Sequence, residues 1–130
     1  MLDKVEYWLN LADEDVLNAK AMINGNRFLG AGYFCHQMIE KALKAVVANV
    51  SEDTPPKIHD LRKLARQGGI YDDLSAEQLT FINSLNPLQV EARYPEYKDR
   101  IAKTLNRKKC SQILKDAEEL LCWIKTKLGK

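Results

Sequence analysis

The chain carries only two histidines and three cysteines among its 130 residues, and these scarcities narrow what it can do. Cys35, Cys110 and Cys122 are odd in number, far apart and set among apolar residues, and no two stand at zinc-ligand spacing. They are expected to be reduced, buried and small, which makes the cytoplasm the default location. No acidic residues cluster at metal spacing, no glycine-rich loop could cradle a phosphate, and no serine sits in a nucleophile elbow. No metal site and no cofactor is therefore expected. No apolar run approaches the roughly 18–20 residues of a membrane span. Met1-Leu2-Asp3-Lys4-Val5-Glu6 lacks the basic region and apolar run of a signal peptide, so neither secretion nor membrane insertion is expected. Sustained period-two alternation, internal repeats and low-complexity tracts are also missing, which argues against a sheet or a solenoid.

What is present suits an ordinary globular protein, at 45% hydrophobic and 29% charged residues. The length predicts one domain, spanning 1–130, around one core. A net charge of +2 is too small for the whole chain to clamp nucleic acid, but the charge is uneven. Residues 1–24 set two lysines against five carboxylates, whereas 93–109 set seven cations against two. That basic segment can attract phosphates or can be a solvated helix end.

The apolar spacing predicts an all-α fold of about five helices. Val5, Leu9, Ala12, Val16, Ala19 and Ile23 step by fours and threes, with Trp8, Leu11 and Met22 widening the stripe. Asn24-Gly25-Asn26 supplies the stop, and the short turn predicts an antiparallel return. A second helix is expected from about Arg27 to Asn49; Gly30 and Gly32 near its start suit close approach of another helix or of a second subunit. After the polar loop Ser51–Pro56, a short helix is expected over Lys57–Gln67, closed by Gly68-Gly69. Ser75 and Gln78 form a capping box for the next helix, and Asn86-Pro87 breaks it. Arg93-Tyr94-Pro95-Glu96-Tyr97 reads as a turn or extended crossing. Cys110, Ile113, Leu114, Ala117, Leu120, Leu121, Ile124 and Leu128 mark the last helix, with Lys125, Lys127 and Lys130 at its favourable end.

The second helix is the expected spine. Phe34, Cys35, Met38, Ile39, Ala42, Leu43, Ala45, Val46 and Val47 cover a broad apolar side, able to touch several neighbours. Tyr33, His36, Gln37, Glu40 and Lys44 share the opposite side. Two readings of that strip stay open: a solvated face with an i,i+4 Glu40–Lys44 pair, or a row of groups that bind and exchange protons. The same holds for His59, which either packs beside Asp60 at a helix start or meets His36 across the bundle. Arg93 beside Tyr94 can grip a phosphate and stack on a base, or can satisfy loop carbonyls.

Three segments together carry a resemblance. Phe34–Ala45 resembles the second-helix signature of HEPN domains, the higher-eukaryote and prokaryote nucleotide-binding family; Pro56-Lys57-Ile58-His59-Asp60-Leu61 and Ala92-Arg93-Tyr94-Pro95 are similar to two further segments of it, in family order. The resemblance implies an up-and-down four-helix bundle with an additional short helix, usually a homodimer. It also implies a small nucleotidyltransferase as partner, often in a toxin–antitoxin module, and binding of nucleotide or RNA. Gln37, Glu40, Lys41 and Lys44 match the first motif, His59 and Asp60 the second, and Arg93, Tyr94 and Pro95 the third. Arg93, His59 and Lys44 are thus expected to meet phosphate, Tyr94 or Tyr33 to stack, and Glu40 to orient Lys44 or a ribose hydroxyl, with His36 and Gln37 completing the strip. HEPN ribonucleases carry an Arg four to six residues before a His. Here Arg27 precedes His36 by nine and no Arg lies between His36 and His59, so a competent ribonuclease is not expected and no catalytic residue is assigned. The alternatives are a divergent metal-independent ribonuclease toxin using His59 and Arg93, and a purely structural helical dimer.

Overall fold

The computed structural model describes residues 3–89 and 95–130. The fold begins with a helical hairpin. Helix α1 (Lys4–Asn24) starts at Asp3, whose carboxylate accepts from the backbone N–H of Val5 at 2.9 Å and of Glu6 at 3.4 Å. It stops where Asn26 takes the left-handed φ of 60°. Helix α2 (Phe28–Val50) then returns antiparallel. A Cβ on Gly30 would lie 2.9 Å from the Met22 sulfur, and one on Gly32 3.3 Å from Leu105, so both glycines admit close neighbours within this chain.

The middle of the chain is made of shorter pieces. Helix α3 (Leu61–Gln67) begins four residues later than the spacing predicts, because Asp60 rather than an earlier residue caps it, accepting from Arg62 N at 3.0 Å. A 3-10 turn at Tyr71–Asp73 leads to α4 (Ala76–Leu85), which opens with the expected reciprocal Ser75–Gln78 capping box. A second 3-10 turn, Asn86–Gln89, ends it. Helix α5 (Pro95–Thr104) replaces the crossing expected from Pro95 onward; proline suits a first helical position because its missing N–H has no partner there. Asn106 caps α6 (Arg107–Lys127), accepting from Lys109 N at 2.8 Å. The all-α expectation is met with six helices among the described residues, one more than about five.

Helix α2 contacts every other helix. The first turn of α6 lies beside the α1–α2 turn, where Arg107 bonds the Asn26 side chain and Cys110 Sγ reaches the Phe28 carbonyl at 3.5 Å. Its end lies beside the start of α1, through Lys130–Glu6 and through Lys125–Asp13 at 2.8 Å. Thus α6 runs parallel to α2. Met38, Ile39 and Leu43 from α2 meet Leu61, Leu64, Ile82, Leu85 and Ile124 in a fully enclosed core. Two of the cysteines are buried as expected, and desolvation pushes the Cys35 thiol up to about 12. Cys122 is exposed instead, one step past the buried Leu120–Leu121 pair and on the outer face of α6. No described helix is long and apolar enough to cross a membrane.

Gly68 shows how tightly α3 is drawn onto α2. A Cβ there would stand 2.6 Å from Val46 Cγ1 and 3.1 Å from Val46 Cβ, although the φ of −78° would accept any residue. Gly68→Ala is therefore expected to cost about 2 kcal/mol of stability through overpacking, read as a lowered urea midpoint. An unchanged midpoint would mean that α3 can move away freely.

Candidate functional site

The strip on α2 is enclosed. His36 (0% exposed), Gln37, Glu40 and Lys44 are all buried, because α1 covers one flank and the segment leading into α3 the other. The solvated-face reading is thereby overturned. A helical wheel shows which residues share a side, but here both sides of α2 face protein.

Glu40 is the hub. Its Oε1 accepts from His59 Nδ1 at 2.8 Å and its Oε2 from Lys44 Nζ at 3.1 Å. His36 Nε2 donates to the carbonyl oxygen of His59 at 3.0 Å, so His36 and His59 do meet. The Lys44 ammonium also lies 5.5 Å from the centre of the Trp8 ring on α1. The segment that carries His59 is pinned from beyond: Asn86 Oδ1 accepts from Leu61 N at 3.1 Å, and its amide reaches Asp60 at 3.3 Å.

These bonds assign the protons. A carbonyl partner requires hydrogen on His36 Nε2, which leaves Nδ1 of the neutral ring bare. That nitrogen is buried without a hydrogen-bond partner, 3.8 Å from Glu40 Oε1. Burial lowers the His36 pKa to about 4, and nearby His59 pushes the same way; Glu40, the His59 carbonyl and Asp60 oppose it. His59 donates through Nδ1, so the proton-accepting position of its neutral ring is Nε2. Its side chain is 50% exposed. The arrangement is a buried carboxylate holding an imidazole at the surface, with a lysine neutralising the carboxylate from behind. Such a ring can take a proton or, once protonated, donate to an anion.

The other expected site residues are placed less centrally. Tyr33 is half-buried one turn before His36, its ring edge-on to Phe34 at 5.4 Å. Gln37 is buried beside the hub. Lys44 is too enclosed and too closely paired with Glu40 to be the first group a phosphate would meet. Arg93 and Tyr94 lie outside the described residues. Sequence reasoning missed a further ion pair: buried Asp15 on α1, 2% exposed, binds partly buried Lys41 and accepts from Asn18 at 3.1 Å. The available signal was a carboxylate inside an apolar stripe, between Ala12 and Ala19. Among the described residues no three His, Cys, Asp or Glu side chains are grouped to hold a metal ion.

The sequence model of the HEPN domain matches residues 5–127. This chain belongs to the HEPN domain family. The HEPN bundle is also similar to two solved structures. TT1696 from Thermus thermophilus is 17% identical, with a TM-score of 0.80 over 97% of this chain and 99% of that one. ST0689, an archaeal HEPN homologue, is 18% identical, with a TM-score of 0.70 over 97% and 98%. At such identities the likeness speaks for the fold. No curated protein matches the sequence.

Proposed function

We propose that this HEPN domain binds the phosphate of a nucleotide at the exposed edge of His59 and serves as partner to a small nucleotidyltransferase. The observation that carries the binding is the Glu40–His59 contact, which fixes a half-exposed imidazole in one orientation before any ligand arrives. In this reading His59 meets phosphate, Glu40 and Lys44 hold it in place, Tyr33 offers a ring for stacking, and Arg93 with Tyr94 completes the grip. The partner, the toxin–antitoxin setting and a homodimer follow from the family resemblance.

Titration with ATP and AMP tests the site. His59→Ala and Arg93→Ala are each expected to weaken binding at least tenfold, about 1.4 kcal/mol. Equal affinity in both variants and the parent would remove the assignment. Affinity capture at native expression should recover a nucleotidyltransferase, and its absence would remove the partnership.

The same contact favours a second reading. A carboxylate-oriented imidazole is suited to acid–base work on a ribose 2′-hydroxyl. RNA cleavage by the purified chain, lost in His59→Ala, would decide for that ribonuclease over the binding protein.

A further inference from the structure

The cations of this chain are unevenly matched. Over much of the surface they have acidic partners: Lys20 with Glu118, Lys125 with Asp13, Lys127 with Asp73, Lys130 with Glu6. The bundle end where α5 gives way to α6 is different. From Ile101 to Lys115 the sequence has five cations and no carboxylate. Lys103, Lys108 and Lys109 are exposed, and none has an ion pair among the described residues. Arg107, bonded to Asn26, ties this corner to the α1–α2 turn and so sets exposed Arg27 beside it. A cleft of about 380 Å³ opens here, lined by Thr104, Asn106, Lys108, Lys109 and Gln112. Its walls combine positive charge with neutral hydrogen-bonding groups.

We infer that this corner is a docking surface for the phosphodiester backbone of a nucleic acid. Concentrated like charge without local partners is unfavourable to the folded chain by itself, and a polyanion relieves it while releasing counterions. An acidic protein would supply charge too, but stable protein contacts need an apolar anchor in their centre. Among the described residues, the large exposed apolar side chains, Tyr7, Leu17 and Val50, lie on α1 and at the far end of α2. The surface is separate from the His59 site and does not rest on it: Glu40 stands twelve residues along α2 from Phe28, about 18 Å.

The test is fluorescence anisotropy with a labelled single-stranded RNA, repeated with the same sequence as DNA, on the full chain. The parent should bind with log affinity falling against log salt at a slope of about 2–3, from three or four phosphate contacts. Lys103→Glu with Lys108→Glu and Lys109→Glu should lose about 100-fold at low salt. A charge-matched control, Lys125→Glu with Lys127→Glu and Lys130→Glu, should lose much less. Equal losses in the two triple variants would reduce the effect to net charge and overturn the proposal. So would loss in His59→Ala alone, which would place the nucleic acid at the other site, or tighter binding of a polyglutamate peptide than of either oligonucleotide. A preference between RNA and DNA would identify the source of the backbone.

Discussion

Glu40→Ala is expected to destabilise the fold by about 3–5 kcal/mol, the range for leaving one partner of a buried ion pair alone. The substitution removes the acceptor of two bonds at once. Lys44, whose side chain is 10% exposed, would be left inside the bundle without its carboxylate, beside the face of Trp8. His59 would lose the contact that orients it. Urea unfolding of the variant measures the loss. Combining Glu40→Leu with Lys44→Met removes both charges and should recover most of the stability, since a buried pair is often replaceable by apolar groups of similar size. Such a double variant would nonetheless bind nucleotide poorly, because its imidazole is no longer held. A cost below about 1 kcal/mol for Glu40→Ala is the value for an exposed pair and would contradict the enclosure of the strip.

The second large effect is on pH dependence. In the unfolded chain His36 titrates near its ordinary value of 6.5, whereas in the fold burial holds it to about 4. Between those values the unfolded chain binds the extra proton and the folded one resists it. Stability therefore falls as pH drops through this window and rises as pH increases through it, by a total of about 3 kcal/mol from this ring. Below about 4 both states are protonated and the ring adds no further loss. His36→Gln is the informative variant, because its amide can still donate to the His59 carbonyl but does not titrate. Denaturant midpoints measured at intervals from pH 7 to pH 4 should decline more steeply for the parent than for His36→Gln. Parallel curves would show that the ring is hydrated.

Much of this architecture was legible in the residues, and the failures share a cause. The bounds of α1 and α2, the Ser75–Gln78 box and the stripe of α6 follow from apolar spacing and short-range capping, which a chain carries within a few residues. Helix α5 was missed because Ile101 and Ala102 are almost its only apolar residues and its proline reads as a breaker until its position at the first turn is known. The site depended on longer-range facts. That Glu40 and His59 belong together requires knowing that the loop after Pro55-Pro56 folds back over α2, nineteen residues away. That the strip is buried requires knowing that α1 and this loop both cover it. Trp8, read as part of the first helix's apolar stripe, instead faces the Lys44 ammonium of the polar strip.

The turn at Gly25-Asn26-Arg27 joins contacts that are near in sequence to a fold that is sealed by distant ones. It connects the two helices that share the most extensive interface among the described elements, so a large block of burial closes a loop of only a few residues. Loop closure becomes costlier only with the logarithm of length, but it must precede any reward from distant contacts. The contacts that seal the bundle are distant: Arg107 reaches back 81 residues to Asn26, and Lys125 reaches 112 residues to Asp13. The molecule is therefore a low-contact-order hairpin joined to a high-contact-order closure, and α2, which packs on both α1 and α6, belongs to both halves.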